Sequence, residues 1–234
     1  MMKLGILKTD TLKPEFVAQF GEYPAMFARY FSAVGAQFEL VTYDVQLGQY
    51  PESIDDVDGY LITGSKFSVY DPEPWISKLK DFIGELHAAQ KKLVGICFGH
   101  QVIADALGGK TEKADQGWCV GVQNANLNAA ASQYGLDEQA FAIISSHQDQ
   151  VTKLADGAEV LASTPSCPIS AMGIGRHILT FQGHPEFEPA FMQQVLDMRR
   201  GIIGEANYLQ ATASLQLKTD HLLVIRWIAD FIQS

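Results

Sequence analysis

The chain has 234 residues, of which 47% are hydrophobic and 19% charged, as in ordinary globular proteins and unlike disordered or collagen-like chains. Its 17 basic and 27 acidic side chains give a net charge of −10, which argues against nucleic acid and anionic membranes as partners. No apolar run reaches the roughly 20 residues that a membrane-spanning helix needs, and the apolar part of the N-terminal segment is too short for a secretory signal.

The cysteine and histidine content points to a protein of the reducing cytoplasm. There are three cysteines, Cys97, Cys119 and Cys167, and none belongs to a CxxC pair, so no disulfide framework is expected. The six histidines show no metal-ligand spacing. We therefore expect no metal and no cofactor.

The first half of the sequence alternates predicted strands and helices. Strands are predicted at 3–7, 38–43, 59–63 and 93–96, and helices at 14–34, 75–89 and 99–107, with a break or a restart of the first helix at Pro24. The run at 93–96 is apolar throughout, as expected for a buried parallel strand. This alternation predicts a parallel sheet covered by helices on both faces.

The second half is predicted to contain mostly short strands with turn residues between them. The strands are expected at 117–127, 141–145, 158–163, 169–172 and 177–181, and the segment NANLNAAAS at 124–132 is interpreted as a loop. Helices return at 189–200 and 219–232. No linker or repeat divides the chain, so we expect one domain over residues 1–234, with a core of about 1–200 and a helical extension of about 201–234.

The most informative segment is LVGICFGHQ at 93–101, in which a strand runs through Gly95-x-Cys97-x-Gly99 directly into a helix. This is the form of a nucleophile elbow with cysteine in place of serine, where the flanking glycines leave room for a tight turn. The sulfur would lie at the carboxyl edge of the sheet and at a helix N-terminus, which favours the reactive thiolate. A small buried structural cysteine is the alternative interpretation of this segment alone.

A second segment offers the base that a thiol nucleophile needs. The strand near 179–181 leads into His184-Pro185-Glu186, and residues two apart in an extended chain point to the same side. Pro185 also restricts the residue before it to extended conformations. A base oriented by a carboxylate completes a triad, so we predict that Cys97, His184 and Glu186 act together. A strand-terminal turn with surface His and Glu is the alternative.

Taken together, these segments resemble class I glutamine amidotransferases. Four motifs carry the resemblance, in the family's order: LITGS at 61–65, GICFGHQ at 95–101, SHQDQV at 146–151 and GHPE at 183–186. The similarity covers roughly residues 1–200 and is greatest to the branch with the GMP synthase glutaminase domain and stand-alone relatives, including plant γ-glutamyl peptidases. It implies a three-layer αβα sandwich with a mostly parallel central sheet, flavodoxin-like in class.

The resemblance also implies a role for each matching residue. Cys97 would attack the γ-carbonyl carbon of a glutamyl amide, His184 would transfer the proton, and Glu186 would orient His184. The backbone N–H groups of Gly64 and Phe98 would form the oxyanion hole. Substrate contacts are implied for Gln101, His147, Gln148 and Trp118.

Three functions remain open from the sequence. The first is a glutaminase that releases glutamate and ammonia through a cysteine thioester; the second is a stand-alone γ-glutamyl peptidase; the third is an idle binding module, which the intact triad disfavours. No ATP-binding motif of the Walker or Ser-Gly-Gly-x-Asp type is present, so a synthase partner would be a separate chain. The apolar residues of 201–234 could form a homodimer face, although packing on the chain's own sheet is the expected arrangement.

Overall fold

A computed structural model describes all 234 residues. It contains eleven strands, seven α-helices and two short 3₁₀ helices, the latter at Val45–Leu47 and Ala129–Tyr134. The strands are β1 (Met2–Lys8), β2 (Phe38–Asp44), β3 (Gly59–Ile62), β4 (Lys92–Ile96), β5 (Lys110–Lys113), β6 (Cys119–Leu127), β7 (Ala140–His147), β8 (Asp149–Lys153), β9 (Ala158–Ser163), β10 (Ala171–Ile174) and β11 (Ile178–Phe181). The helices are α1 (Pro14–Phe20), α2 (Tyr23–Ala33), α3 (Pro74–Ala88), α4 (Phe98–Ala106), α5 (Pro189–Ile203), α6 (Glu205–Ser214) and α7 (His221–Gln233).

Nine strands form one mixed sheet in the order β2-β1-β3-β4-β11-β10-β9-β6-β7, and β5 pairs with β8 in a separate ribbon. The strands β2, β1, β3, β4 and β11 run parallel, whereas each later neighbour pairs antiparallel. In register, Ile62 lies opposite Gly95, and Phe181 lies opposite Ile96. The strand β4 therefore lies between β3 and β11, and all three end at the same edge of the sheet.

Helices cover both faces of this sheet. On one face, α2 and α7 pack around Phe27, Phe31, Trp227 and Ile228 in a large apolar cluster. On the other face, α3 and α4 pack through Leu79, Ile83, Val102 and Ile103 onto the central strands. A third cluster joins α1, α5 and α6 beside the antiparallel end. The predicted fold class is thus confirmed: an αβα arrangement with a parallel central region.

The helical segment predicted at 14–34 is divided into α1 and α2: the first helix ends before Gly21, and the second begins at Tyr23, which agrees with the restart predicted at Pro24. Gly21 ends α1 with a φ of 82°, a backbone conformation that favours glycine. Pro24 instead lies in the first turn of α2, where a missing N–H costs no helical hydrogen bond.

Several elements differ from the sequence-based expectation. The segment 124–132 is not a loop: it contains the end of β6 and the start of the second 3₁₀ helix, whose Ala130 N–H is capped by the Asn128 side chain. The strands β5 and β8 were not predicted, and α6 lies within the helical extension expected over 201–234 but was given no bounds of its own. β5 and β8 are short and polar and lack the apolar alternation by which strands are recognised.

The C-terminal helix α7 packs on the chain's own sheet. Its buried residues include Val224, Trp227 and Phe231, which belong to the same cluster as the sheet residues Leu4 and Val94. In α6 only Ala211 is buried, and Leu209 is exposed. None of the helices is both long and apolar enough to cross a membrane.

The close packing at the start of α4 can be tested by adding a side chain at Gly99. A Cβ added at Gly99 would lie 2.5 Å from the carbonyl oxygen of Ile62, a backbone atom of β3 that cannot move aside cheaply. We expect Gly99→Ala to lower the free energy of unfolding by about 1–3 kcal/mol or more, as overpacking does. In the matched variant Gly84→Ala, within α3, the new methyl group meets nothing within 4 Å. That variant should gain about 0.5–1 kcal/mol. Urea unfolding measures both, and equal stabilities would contradict the packing argument.

Candidate active site

Cys97 lies in the sharp turn between β4 and α4. Its φ of 52° and ψ of −101° are unusual for a residue with a side chain, and it caps the N-terminus of α4. The two glycines of the motif are required by contact: a Cβ at Gly95 would come within 2.6 Å of the Gly99 carbonyl oxygen, and one at Gly99 within 2.5 Å of the Ile62 oxygen. The predicted elbow is therefore present, with the sulfur at a helix N-terminus that favours negative charge.

The order of the sheet brings the predicted site residues together. Gly64 follows β3, Cys97 follows β4, and His184 follows β11, so three adjacent parallel strands deliver them to one edge. Backbone bonds fix these connections: the Cys97 N–H donates to the Phe181 carbonyl at 2.9 Å, and the His184 N–H donates to the Ile144 carbonyl at 2.7 Å.

His184 and Glu186 form a buried, directly bonded pair. The distance from His184 Nδ1 to Glu186 Oε1 is 2.7 Å, and the two side chains are 4% and 0% exposed. The Phe187 ring stacks on the imidazole at a centroid distance of 3.9 Å and an interplanar angle of 4°. With Nδ1 bonded to the carboxylate, Nε2 is the nitrogen left for the thiol. The alternative of surface His and Glu does not hold.

The electrostatics of this pair favour a charged imidazolium. Burial by itself would lower the pKa of His184, but the carboxylate of Glu186 and the thiolate of Cys97 outweigh it and raise the pKa above the ordinary value of 6.5. The second oxygen of Glu186, Oε2, is buried without a hydrogen-bond partner, so nothing else in the protein neutralises this carboxylate. The site is thus suited to a thiolate–imidazolium pair.

Gly64 lies against both reacting side chains. A Cβ at this position would be 2.8 Å from His184 Cε1 and 3.6 Å from Cys97 Cβ, so only glycine leaves this space free. The Thr9 hydroxyl lies 3.0 Å from the Thr63 carbonyl oxygen and 2.9 Å from that of Gly64. These contacts hold both peptide groups that flank Gly64. Phe98 is the first residue of α4, and the N–H of a first helical residue has no acceptor within its helix.

The residues predicted to contact substrate line one cavity beside Cys97, which we call the Gln101 cavity. Its volume is about 240 Å³, and Gln101, Trp118, His147 and Gln148 are among its lining residues. The structure thus brings all four to the same side of the thiol. Their roles toward a substrate stay predictions.

The Gln101 side chain is buried, not exposed on its helix. Its Nε2 donates to the Asp149 carbonyl at 2.8 Å and lies 3.2 Å from Gln182 Oε1. His147 Nδ1 donates to the same Asp149 carbonyl at 2.9 Å. Burial lowers the pKa of His147 to about 4, so its ring is neutral at physiological pH. Gln101 and His147 therefore hold the segment at 147–149 that forms one wall of the cavity.

Three residues at the site escaped the sequence analysis. Asp149 accepts hydrogen bonds from the Ser68 hydroxyl at 2.5 Å and the Tyr70 hydroxyl at 3.0 Å, which ties the loop after β3 to the cavity wall. Asp149 lies within the SHQDQV motif, and Thr9 follows β1 at the same sheet edge as Gly64. The sequence therefore contained a signal for both residues. Arg199, on α5, had none, because its approach to Cys97 depends on how a distant helix packs. The structure brings no three His, Cys, Asp or Glu side chains together as a metal site.

Comparison with known proteins identifies the family. Residues 17–197 match the family model described as glutamine amidotransferase class-I. The chain belongs to the class I glutamine amidotransferase family. By its family, the chain is therefore an amidotransferase-like hydrolase.

Its relatives include both branches that the motifs indicated. Gamma-glutamyl peptidase 3 of Arabidopsis thaliana is 34% identical over 196 residues, which are 80% of this chain and 78% of that protein. GMP synthase (glutamine-hydrolyzing) of Aeropyrum pernix is 28% identical over 185 residues, 79% of this chain but 35% of the longer synthase. A glutamine amidotransferase structure from Thermotoga maritima superposes over 100% of both chains with a TM-score of 0.77 at 14% identity, and so shares the fold.

The titration of the histidines of this amidotransferase provides a direct test of the site electrostatics. We expect His184 to stay protonated above pH 8, because the negative charges of Glu186 and Cys97 favour the imidazolium. In Glu186→Gln the midpoint of His184 should fall, since that variant removes one of these charges. Imidazole ¹⁵N NMR follows each ring separately. His221, whose pKa is lowered by burial, is the internal control and should not move. A midpoint of His184 below 6.5 in the wild type would contradict the assigned ion pair.

Proposed function

We propose that the chain hydrolyses γ-glutamyl amide bonds through a covalent intermediate on Cys97. The observation that carries the proposal is the placement of Cys97, the His184–Glu186 pair and Gly64 at the ends of three adjacent parallel strands. Nucleophile, oriented base and an adjacent backbone N–H are the parts that acyl transfer requires. Free glutamine is the first substrate, as the family motifs imply.

In the proposed reaction, the Cys97 thiolate attacks the γ-carbonyl carbon, and the new oxyanion accepts hydrogen bonds from the N–H groups of Gly64 and Phe98. His184 donates its proton to the leaving nitrogen, the C–N bond breaks, and ammonia or an amine departs. Water then attacks the thioester carbon and gives a proton to neutral His184. The C–S bond breaks with its electron pair on sulfur, so glutamate is released and the Cys97 thiolate–His184 imidazolium pair is restored. Each oxyanion-hole donor is typically worth about 3–4 kcal/mol of barrier.

A γ-glutamyl peptide is the second candidate substrate. The peptidase relative covers most of this chain at 34% identity, whereas the chain spans only 35% of the synthase relative. The loop after β3 is also anchored on both sides within the chain, through Lys66 to Asp10 and through Ser68 to Asp149. Such anchoring favours hydrolysis without a partner. A separate synthase chain that accepts ammonia is the remaining alternative.

The identity of the nucleophile can be tested by covalent labelling. An electrophilic diazo-ketone analogue of glutamine should modify Cys97 alone. Burial raises the pKa of Cys119 and, more strongly, that of Cys167, to about 12, so neither offers a thiolate near neutral pH. Peptide mapping by mass spectrometry locates the label, and Cys119→Ser serves as the matched control that should label normally. A label on Cys119 or Cys167 with Cys97 free would refute the assignment.

Turnover of the variants tests the triad and the substrate class together. The purified chain should release glutamate from glutamine or from at least one γ-glutamyl peptide. His184→Ala should lower kcat by several orders of magnitude, since it removes both proton acceptor and donor, and Glu186→Gln should cost less. Cys97→Ala sets the background rate. Hydrolysis of no substrate above that background would leave only the partner-dependent or idle functions.

A further inference from the structure

A second cavity adjoins the Gln101 cavity at Cys97, and the two share the lining residues Ser65, Lys66, Cys97, Ser146 and Arg199. We call it the Phe191 cavity. Cys97 and His184 line it, whereas Gln101, His147 and Trp118 do not. The thiol thus borders both cavities, whereas His184 lines only the Phe191 cavity.

The position of His184 indicates which part of a substrate the Phe191 cavity receives. A general acid must reach the leaving nitrogen to protonate it, so the leaving group departs on the His184 side of the scissile bond. The Gln101 cavity then holds the glutamyl half, in agreement with the contacts that the resemblance implies. The leaving amine, which is bonded to the γ-carbonyl carbon through nitrogen, then lies in the Phe191 cavity.

Ammonia does not require such a space. The Phe191 cavity has a volume of about 140 Å³, whereas a molecule of the size of water needs on the order of 10–15 Å³. Its wall is apolar over much of its area, through Leu12, Phe16, Phe187, Phe191, Val195 and Met198. An apolar wall provides no hydrogen-bond partner for ammonia. Burial against such a wall stabilises a hydrocarbon side chain by about 0.8 kcal/mol per CH₂ group.

An unneutralised cation, Arg199, lies where the Phe191 cavity meets the Gln101 cavity, and it lines both. Arg199 is half-buried and forms no ion pair with any carboxylate; its guanidinium donates to the Ser146 hydroxyl at 3.1 Å and lies 6.0 Å from the Trp118 ring centroid. Lys66, which also lines both cavities, is already paired with Asp10 at 2.8 Å. Tyr23 is buried in the same wall, and its hydroxyl makes no hydrogen bond within the protein. Arg199 is thus free to bind an anionic group.

We propose that the Phe191 cavity is the leaving-group subsite and takes an α-amino acid with an apolar side chain, whose carboxylate is bound by Arg199. The proposal rests on the proposed γ-glutamyl hydrolase function and specifies its substrate class as γ-glutamyl dipeptides with an apolar C-terminal residue. A guanidinium and a carboxylate form two parallel hydrogen bonds, which selects a free carboxylate over a neutral amide. Arg199 is then a specificity-determining residue.

The experiment compares four substrates: γ-glutamyl-leucine, γ-glutamyl-leucinamide, γ-glutamyl-glycine and glutamine. Wild type should cleave γ-glutamyl-leucine with a kcat/KM about tenfold or more above that of the amide, and similarly above that of the glycine peptide. Arg199→Met should remove the preference for the free carboxylate, so that kcat/KM for γ-glutamyl-leucine falls to that for the amide, a larger loss than the same variant shows with glutamine. Arg199→Lys should keep part of the preference. Arg226→Met, at an exposed unpaired arginine of α7, is the matched control and should behave as wild type.

Two outcomes would overturn the proposal. One is a wild type that does not distinguish the leucine peptide from its amide or from the glycine peptide. The other is an Arg199→Met variant that loses glutamine hydrolysis as severely as peptide hydrolysis, because glutamine has no leaving-group carboxylate and the residue would then serve the glutamyl half or the fold.

A binding measurement separates this proposal from the function on which it rests. Calorimetry with the Cys97→Ala chain needs no turnover and compares γ-glutamyl-leucine with γ-glutamyl-leucinamide. Tighter binding of the free carboxylate that disappears in Cys97→Ala/Arg199→Met supports the subsite even if no hydrolysis is found. Equal affinity for the two compounds, or no binding of either, refutes it whatever the kinetics show.

Discussion

The site depends on one strained turn. Cys97 adopts a positive φ that costs a residue with a side chain about 1–3 kcal/mol, and it persists only because its surroundings impose it. The helix α4 approaches β3 so closely that no Cβ fits at Gly99, and the Cys97 N–H is bonded to the last residue of β11. The same contacts that force the turn also set the distance of the thiol from Gly64 and His184. The geometry of the nucleophile is thus a consequence of how three strands and one helix pack.

The second constraint is a buried negative charge. Glu186 is fully buried, and it uses one carboxylate oxygen for His184 while the other has no partner. An isolated buried carboxylate is costly, and the nearby imidazolium is the group that lowers this cost. Protonated His184 in turn stabilises a thiolate at Cys97. The contacts from Glu186 to His184 and on to Cys97 therefore couple the stability of the folded site to its charge state. The ion pair that supports reactivity is also the one that the buried carboxylate requires.

The sequence was informative where the chemistry restricts the local backbone. Gly95, Gly99 and Pro185 restrict their turns so tightly that the motifs identify the turn at Cys97 and the geometry of His184 and Glu186 before any packing is known. The apolar strands and helices of the sheet and its two faces were also predictable, because buried elements carry clear periodicity. The strands β5 and β8 were not, since both are polar and paired outside the main sheet.

The residues that could not be predicted belong mainly to tertiary packing. Arg199 reaches the site from α5, and its position depends on the apolar cluster that seats that helix against α1. Thr9 follows β1, so its place at this sheet edge could be predicted, but its hydrogen bond to the Gly64 carbonyl depends on how the strand ends pack. A motif specifies what each strand end carries, whereas the contacts between strand ends and distant helices arise only when the core assembles.

The site has two proposed tasks: to carry out the chemistry on the glutamyl half of a substrate, and to accept the leaving group. Different parts of the structure serve these two tasks. The residues that carry the proposed chemistry and hold the glutamyl half follow β3, β4 and β11 or lie on α4 and the 146–149 segment, and these belong to the motifs shared with glutaminases. The Phe191 cavity shares several of these residues and adds others from the segment at 10–13, from α1, α2 and α5, and Phe187. Substitutions in these helices can alter the leaving group without disturbing the turn at Cys97 or the His184–Glu186 bond. Under the proposed function, one catalytic edge would serve for release of ammonia or of a larger amine, and the packing of α1 and α5 would decide between them.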